Sequence, residues 1–207
     1  MSIQLYHCKG SRSVRPLWTL KEMNLGFELI VMDFPPRYTF PGYKEINPLG
    51  TVPCLVDKNA ETQQTLTESA AMCQYLVDCY GGESLALDSR HPEYGDYLNW
   101  LHRSDATLTF PQTLVLRYTI LEPEEKRIPQ VAEDYKKWFL ARMRCVETAL
   151  QGKQYLCAER FTIADIAVAY AIHLALSLDI NEVLTPNVER YWEHISARPS
   201  YKAATAV

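Results

Sequence analysis

Asn47-Pro48-Leu49-Gly50-Thr51-Val52-Pro53-Cys54-Leu55-Val56 is a Gly-containing loop that runs straight into a β-rich segment. Val52 to Val56 reads as a strand that opens on a proline, the position a ladder tolerates best. A β-branched residue followed by proline at a strand entry is also where a cis peptide can sit. In the cis form the Val52 N–H and C=O would turn away from the sheet. They could then pair with the backbone of an extended peptide ligand, a strand addition on a small scale. An ordinary trans proline at a strand start is the other reading of the same residues.

The elements on either side set the architecture. Ahead of the loop, Ile3-Gln4-Leu5-Tyr6 alternates as a short strand and enters a polar turn, Cys8-Lys9-Gly10-Ser11-Arg12-Ser13. Val14 to Asn24 carries Val14, Leu17, Trp18, Leu20 and Met23 at the spacing of an amphipathic helix. Asn24 and Gly26 stop it, and Phe27 to Met32 is a second strand. Pro35, Pro36, Pro41 and Pro48 make the next stretch irregular, with room for one short helix around Gly42 to Ile46. Beyond the loop, Thr65-Leu66-Thr67 makes a neighbouring strand, and Glu68 to Tyr80 a helix with Ala70, Met72, Cys73, Leu76 and Val77 inward. The resulting order over residues 1–80, β-α-β-(α)-β-β-α, is thioredoxin-like.

Residues 81–91, with Gly81-Gly82 and His91-Pro92 at their margins, break every pattern and read as a linker. Within 92–207 no strand-like alternation survives. Tyr97 to Tyr118, Pro123 to Leu150, Ala164 to Leu178 and Val188 to Ala197 read as helices. Phe161-Thr162-Ile163-Ala164-Asp165-Ile166 is a capping box with a Phe161–Ile166 staple, so Asp165 caps a helix and is not a catalytic acid. The run after it is apolar on nearly all sides, the mark of a buried spine. The expected fold class is therefore α+β followed by all-α: an N-terminal thioredoxin-like domain, a linker and a C-terminal all-helical bundle.

Composition removes several function classes. A net charge of −4 without any Lys/Arg block leaves no footprint for nucleic acid. No apolar run approaches the length of a membrane span, and residues 1–10 lack a signal-peptide profile, so a soluble, cytoplasmic protein is expected. Six cysteines without CxxC spacing point to free thiols in a reducing compartment, and no histidine stands at zinc-ligand spacing from a cysteine pair, so no metal is expected.

Three clusters carry chemistry. The turn with Ser11 and Ser13 lies at a helix N-terminus, where unpaired N–H groups favour an anion and a hydroxyl can donate to a thiolate. Capping of that helix is the competing role for either serine. Val52 and Pro53 offer the strand-addition edge. At Thr67-Glu68-Ser69-Ala70, Ser69 and the adjacent N–H groups suit a carboxylate while Glu68 suits an ammonium, so a zwitterionic amino-acid end would satisfy both. Taken singly, Thr67 or Ser69 is an N-cap.

Together, Gly10-Ser11-Arg12-Ser13-Val14-Arg15, Asn47 to Pro53, Glu68-Ser69, the linker and the Phe161 to Ile166 helix start resemble the cytosolic glutathione transferases, of the serine type but of no resolved class. The resemblance implies a transferase that takes glutathione as co-substrate and conjugates it to hydrophobic electrophilic small molecules, with organic peroxide reduction as a further activity. It also implies detoxification and a homodimer. By the same likeness Ser11, four residues before Arg15, would hold the thiolate, with Ser13 in reserve. Val52 would hold the cysteinyl backbone and Glu68 and Ser69 the γ-glutamyl end. Gly50 stands where some serine-type classes carry histidine, and Ala70 where they carry arginine, which leaves the glycyl carboxylate to Arg12, Arg37 or Lys44.

Cys8 opens a Cys-x-x-Ser string, and a low-pKa thiol there would form mixed disulfides with glutathione. Tyr6 reads as packing. The co-substrate pocket draws on Trp100, Ser104, Thr107, Phe110, Pro111 and Tyr118. The alternatives are a glutathione-dependent isomerase or disulfide-bond reductase on the same fold, and a non-catalytic binding module.

Overall fold

Ile3–His7 (β1) is the pivot of a four-stranded sheet in the order β2-β1-β3-β4 in the computed structural model, which describes residues 3–59 and 61–207. Glu28–Val31 (β2) runs parallel to β1, and Cys54–Asp57 (β3) runs antiparallel to it in the register Ile3 to Asp57 and Tyr6 to Cys54. Gln64–Leu66 (β4) pairs antiparallel with β3. The two inner strands are buried almost end to end, His7 and Asp57 included. The edge strands stay largely exposed.

Val14–Glu22 (α1) connects the parallel pair and buries Val14, Leu17, Trp18 and Leu20. Asn24 ends it in the left-handed region at φ 53°, with Asn24 N–H on the Lys21 carbonyl and Leu25 N–H on the Leu20 carbonyl, the paired closure that a residue tolerant of positive φ makes possible. Two short helices, Pro36–Thr39 (α2) and Tyr43–Ile46 (α3), occupy the proline-rich stretch, one more than the sequence leads one to expect. Ser69–Cys79 (α4) closes this part with Met72, Cys73, Leu76 and Val77 buried. The Val52–Pro53 peptide is cis, and the β3 ladder starts one residue beyond it, at Cys54 instead of Val52.

The chain divides into two compact units, Met1–Ala86 with Ala197–Val207, and Leu87–Ser196. Sequence periodicity assigns all of 92–207 to the helical part, and the structure corrects this for the last eleven residues. Pro199–Thr205 (α10) packs against α1: Trp18 Nε1 donates to Ser200 Oγ at 3.1 Å, and the Trp18 ring meets the Tyr201 ring edge-on at 5.0 Å. Glu22 accepts hydrogen bonds from Arg198 and Ser200. Pro199 at the first helical position is the signal that the sequence reading passed over.

In the second unit, Tyr94–Arg103 (α5) and Phe110–Leu116 (α6) are joined by a π-helical stretch, Ser104–Thr109, and a second one, Arg117–Leu121, follows. Pro111 supplies the physical reason for the first. Its missing N–H and its ring are incompatible with an ordinary turn, and the wider turn absorbs both, with Phe110 N–H reaching the Asp105 carbonyl. Pro129–Ala149 (α7) begins six residues later than the expected Pro123, because Ile128 precedes a proline and is held extended at φ −122°, ψ 90°.

Ile163–Ser177 (α8) is the buried spine, with Ile163 through Ile172 all enclosed. Both capping-box bonds are made, and Thr162 N–H donates to Asp165 Oδ2 at 2.8 Å. Pro186–Ser196 (α9) completes the unit. No helix among the described residues is long and apolar enough to cross a membrane.

Candidate active site

The three clusters singled out above meet at one end of the sheet. The β1–β3 register sets Tyr6 opposite Cys54, so the cis Val52–Pro53 bond lies beside the exit of β1, where the chain turns toward Ser11 and Ser13. Arg15, fully buried in the first turn of α1, donates from Nη1 to Ser69 Oγ at 2.9 Å. That bond ties the start of α1 to the start of α4.

In the turn, Gly10 sits at φ 68° and the chain closes with Ser11 N–H on the Cys8 carbonyl at 3.1 Å. Ser11 Oγ accepts the Ser13 N–H at 3.3 Å, a capping-type bond in the turn that leads into α1. Ser13 is the residue before α1, yet its hydroxyl makes no cap bond. It is fully buried and lies 2.7 Å from His7 Nδ1, 2.7 Å from Ser11 Oγ and 3.2 Å from the Cys8 carbonyl. Ser11 is half-buried and retains exposed surface. His7, which sequence reasoning did not single out, is completely enclosed, with Nε2 3.3 Å from the Val207 carbonyl. Burial lowers its pKa, the Val207 carbonyl acting in the opposite sense.

The loop before Val52 is held by two side chains. Tyr43 OH and Asn47 Nδ2 both donate to the Thr51 carbonyl, at 2.5 and 2.8 Å, while Leu49 N–H donates back to Asn47 Oδ1. Both anchors are buried, and neither was found by sequence reasoning; the composition of a loop does not reveal which side chain will fasten it. Gly50 adopts φ 63°, and a Cβ there would lie 2.9 Å from Arg37 Cβ and 3.7 Å from Lys44 Cε. Arg37 and Lys44 therefore lie against Gly50, two residues before Val52. Among the described residues no hydrogen bond engages the Val52 N–H or C=O.

Glu68 is extended, exposed and without a side-chain cap bond, and Ser69 opens α4 with its Oγ already fixed by Arg15. Cys8 is a poor nucleophile here. It is 1% exposed, its Sγ points at the Asp33 carbonyl, and burial pushes its pKa up to about 11. Tyr6 packs among Phe40 and Tyr43, as expected. All six cysteines are free. Among the described residues no cluster of three or more His, Cys, Asp or Glu is arranged to hold a metal.

Of the residues expected to line a co-substrate pocket, Trp100, Ser104 and Pro111 are buried within the helical unit, with Ser104 Oγ donating to the Leu101 carbonyl. Phe110 is exposed, and Thr107 and Tyr118 are half-buried, so these three keep surface for a ligand.

Comparison with known proteins gives two family matches along the chain. The family described as "Glutathione S-transferase, N-terminal domain" matches residues 11–79, and "Glutathione S-transferase, C-terminal domain" matches residues 112–199. Glutathione S-transferase 3 of Schizosaccharomyces pombe is 27% identical over 98% of this chain and 86% of its own length. Glutathione S-transferase GstB of Escherichia coli K12 is 26% identical over 99% of this chain and 98% of its own. The Ure2p5 structure from Phanerochaete chrysosporium, cocrystallised with 1-(S-glutathionyl)-2,4-dinitrobenzene, superposes with a TM-score of 0.84 at 23% identity, covering 99% of this chain and 93% of that one.

Proposed function

Because this chain belongs to the glutathione transferase superfamily and is a glutathione transferase, we propose that it ionises the glutathione thiol with the Ser11 hydroxyl and transfers the sulfur to hydrophobic electrophiles. The observation that carries the reading is the contrast within one turn: Ser11 keeps exposed surface just ahead of α1, while Cys8 is sealed.

The energetics suffice. A thiol of pKa ~8.5 is only about 3% ionised at pH 7. Lowering it by ~2 units takes ~2.7 kcal/mol of differential stabilisation. One charge-assisted hydrogen bond supplies ~1.5–3 kcal/mol, and the N-terminus of α1 a further ~0.3–1. No metal is required for ionisation.

Val52, presented by the cis bond with Pro53, is assigned to the cysteinyl backbone, and Glu68 with Ser69 to the γ-glutamyl end. Arg37 and Lys44 are better candidates for the glycyl carboxylate than Arg12, because they lie against Gly50 in the loop that leads to Val52. The conjugate held by Ure2p5 is the kind of product this site would make. The same thiolate would also attack a peroxide oxygen. Assembly as a homodimer and a place in detoxification follow from the family and are part of the proposal.

Glutathione binding by titration calorimetry, followed by turnover of a generic aryl halide, tests the reading. Ser11→Ala is expected to raise the bound thiol's pKa by ~2 units, an effect of ~2.7 kcal/mol. An unchanged pKa and turnover would remove Ser11 from this role. Of the alternatives, disulfide reduction through Cys8 is opposed by that thiol's burial. Retention on immobilised glutathione without any turnover would favour a binding module.

A further inference from the structure

The hydrogens along His7, Ser13 and Ser11 can be counted. The Val207 carbonyl oxygen can only accept, so His7 Nε2 at 3.3 Å carries the hydrogen. In a neutral ring Nδ1 is then a bare acceptor, and the 2.7 Å contact requires the Ser13 hydroxyl to donate to it. The Cys8 carbonyl, 3.2 Å from Ser13 Oγ, competes for the same hydrogen but is the longer contact. With that hydrogen donated to Nδ1, the 2.7 Å contact between the two serines is a donation from Ser11 to Ser13. One Ser11 lone pair takes the Ser13 N–H at 3.3 Å. Ser11 thus faces a ligand with its other lone pair, the arrangement that receives a thiol S–H and cannot stabilise a thiolate. Burial of His7, which disfavours the charged ring, keeps this as the resting state.

We propose that His7 is the terminal acceptor of the glutathione proton, reached through Ser11 and Ser13, and that its protonation reverses both hydroxyls so that Ser11 then donates to the sulfur. The S–H bond breaks and an O–H bond forms at Ser11. The former Ser11 hydrogen passes to Ser13, and the former Ser13 hydrogen to Nδ1. One proton moves from sulfur to imidazole, and both hydroxyls stay intact. The imidazolium keeps Nε2–H on the Val207 carbonyl. When the sulfur has bonded to carbon and the leaving group has departed as an anion, the proton returns along the same path to solvent. His7 does not touch the substrate; it is a positioning residue acting through two serines. The inference rests on the assignment of Ser11 to the glutathione sulfur.

The experiment titrates the full chain at pH 7 with glutathione and, separately, with S-methylglutathione, in two buffers of different ionisation enthalpy, and follows thiolate by its ultraviolet absorbance. The wild type should form thiolate with near-zero proton release to buffer. Ser13→Ala and His7→Asn should each lose most of the thiolate signal and lower kcat/KM about 100-fold, with S-methylglutathione affinity unchanged and no further loss in the double variant. Release of one proton per thiolate formed in the wild type would overturn the relay. So would Ser13→Ala keeping or gaining thiolate, which is what a Ser11 acting alone would do once its hydrogen is no longer drawn to Ser13. Should His7→Asn fail to fold, Ser13→Ala decides the matter by itself. If the wild type binds neither ligand, the relay falls together with the site reading; binding of S-methylglutathione with the wrong proton count removes the relay alone.

Discussion

Replacing Asp165 with alanine should cost the helical unit about 4 kcal/mol without touching the proposed chemistry. Asp165 is completely buried at the third position of α8. Its Oδ2 accepts Thr162 N–H at 2.8 Å and Thr162 Oγ1 at 3.2 Å; its Oδ1 accepts Leu156 N–H at 3.0 Å and Tyr191 OH at 3.1 Å. Burial pushes the carboxyl up to about 6 while these bonds pull the other way, so at pH 7 it is still mostly ionised and can accept all four.

Alanine leaves two backbone N–H groups buried without a partner, at ~1–3 kcal/mol each. The hydroxyls can turn elsewhere, and Tyr191 OH already lies 3.4 Å from the Asp165 carbonyl, so they add little. The sum is ~2–6 kcal/mol. For a chain of this length that lowers the melting temperature by about 10 °C, at ~2–4 °C per kcal/mol. Urea unfolding followed by near-ultraviolet circular dichroism reads the change. Asp165→Asn, which keeps one acceptor oxygen, should lose roughly half as much. A loss below ~1 kcal/mol for alanine would mean that the two N–H groups find water or other acceptors, and the reasoning would fail.

Glu22→Gln should loosen the last eleven residues and expose α10 to limited proteolysis. Although burial opposes it, the bonds from Arg198, Ser200 and Trp18 hold the Glu22 carboxyl below its usual 4.5. Its folded pKa is therefore depressed, so its stabilisation is present above pH 4.5 and is lost as pH falls through the folded value; wild type and variant should converge in melting temperature in that acid range. Gly50→Ala places a Cβ 2.9 Å from Arg37 Cβ at φ 63°, with a backbone cost of ~1–2 kcal/mol and a raised KM for glutathione; unchanged stability and KM would show that the loop shifts freely.

Much of this molecule is legible in sequence because its main elements bury apolar residues at regular spacing. The β-α-β opening, the α4 face and the α8 spine all announce themselves in that way. Asp165 is legible for a different reason: the capping box is a local pattern that requires no knowledge of the fold. What was missed depends on long-range partners. His7 lies at the end of an apolar strand and looks like packing; its meaning rests on Ser13 and on Val207, 200 residues away. Arg15 reads as one more helical cation until Ser69, 54 residues on, is seen to accept from it. The assignment of 197–207 to the helical part failed similarly, since nothing local declares which unit a segment will cover.

The return of 197–207 to the first unit makes the helical unit an insertion, topologically, into an otherwise completed partner. Residues 1–86 leave the ribosome first, yet the surface of α1 around Trp18 stays open until everything between has been made. A fragment ending at 86 would lack α10 and the Val207 carbonyl alike, so grafting this binding unit elsewhere requires carrying both pieces of chain.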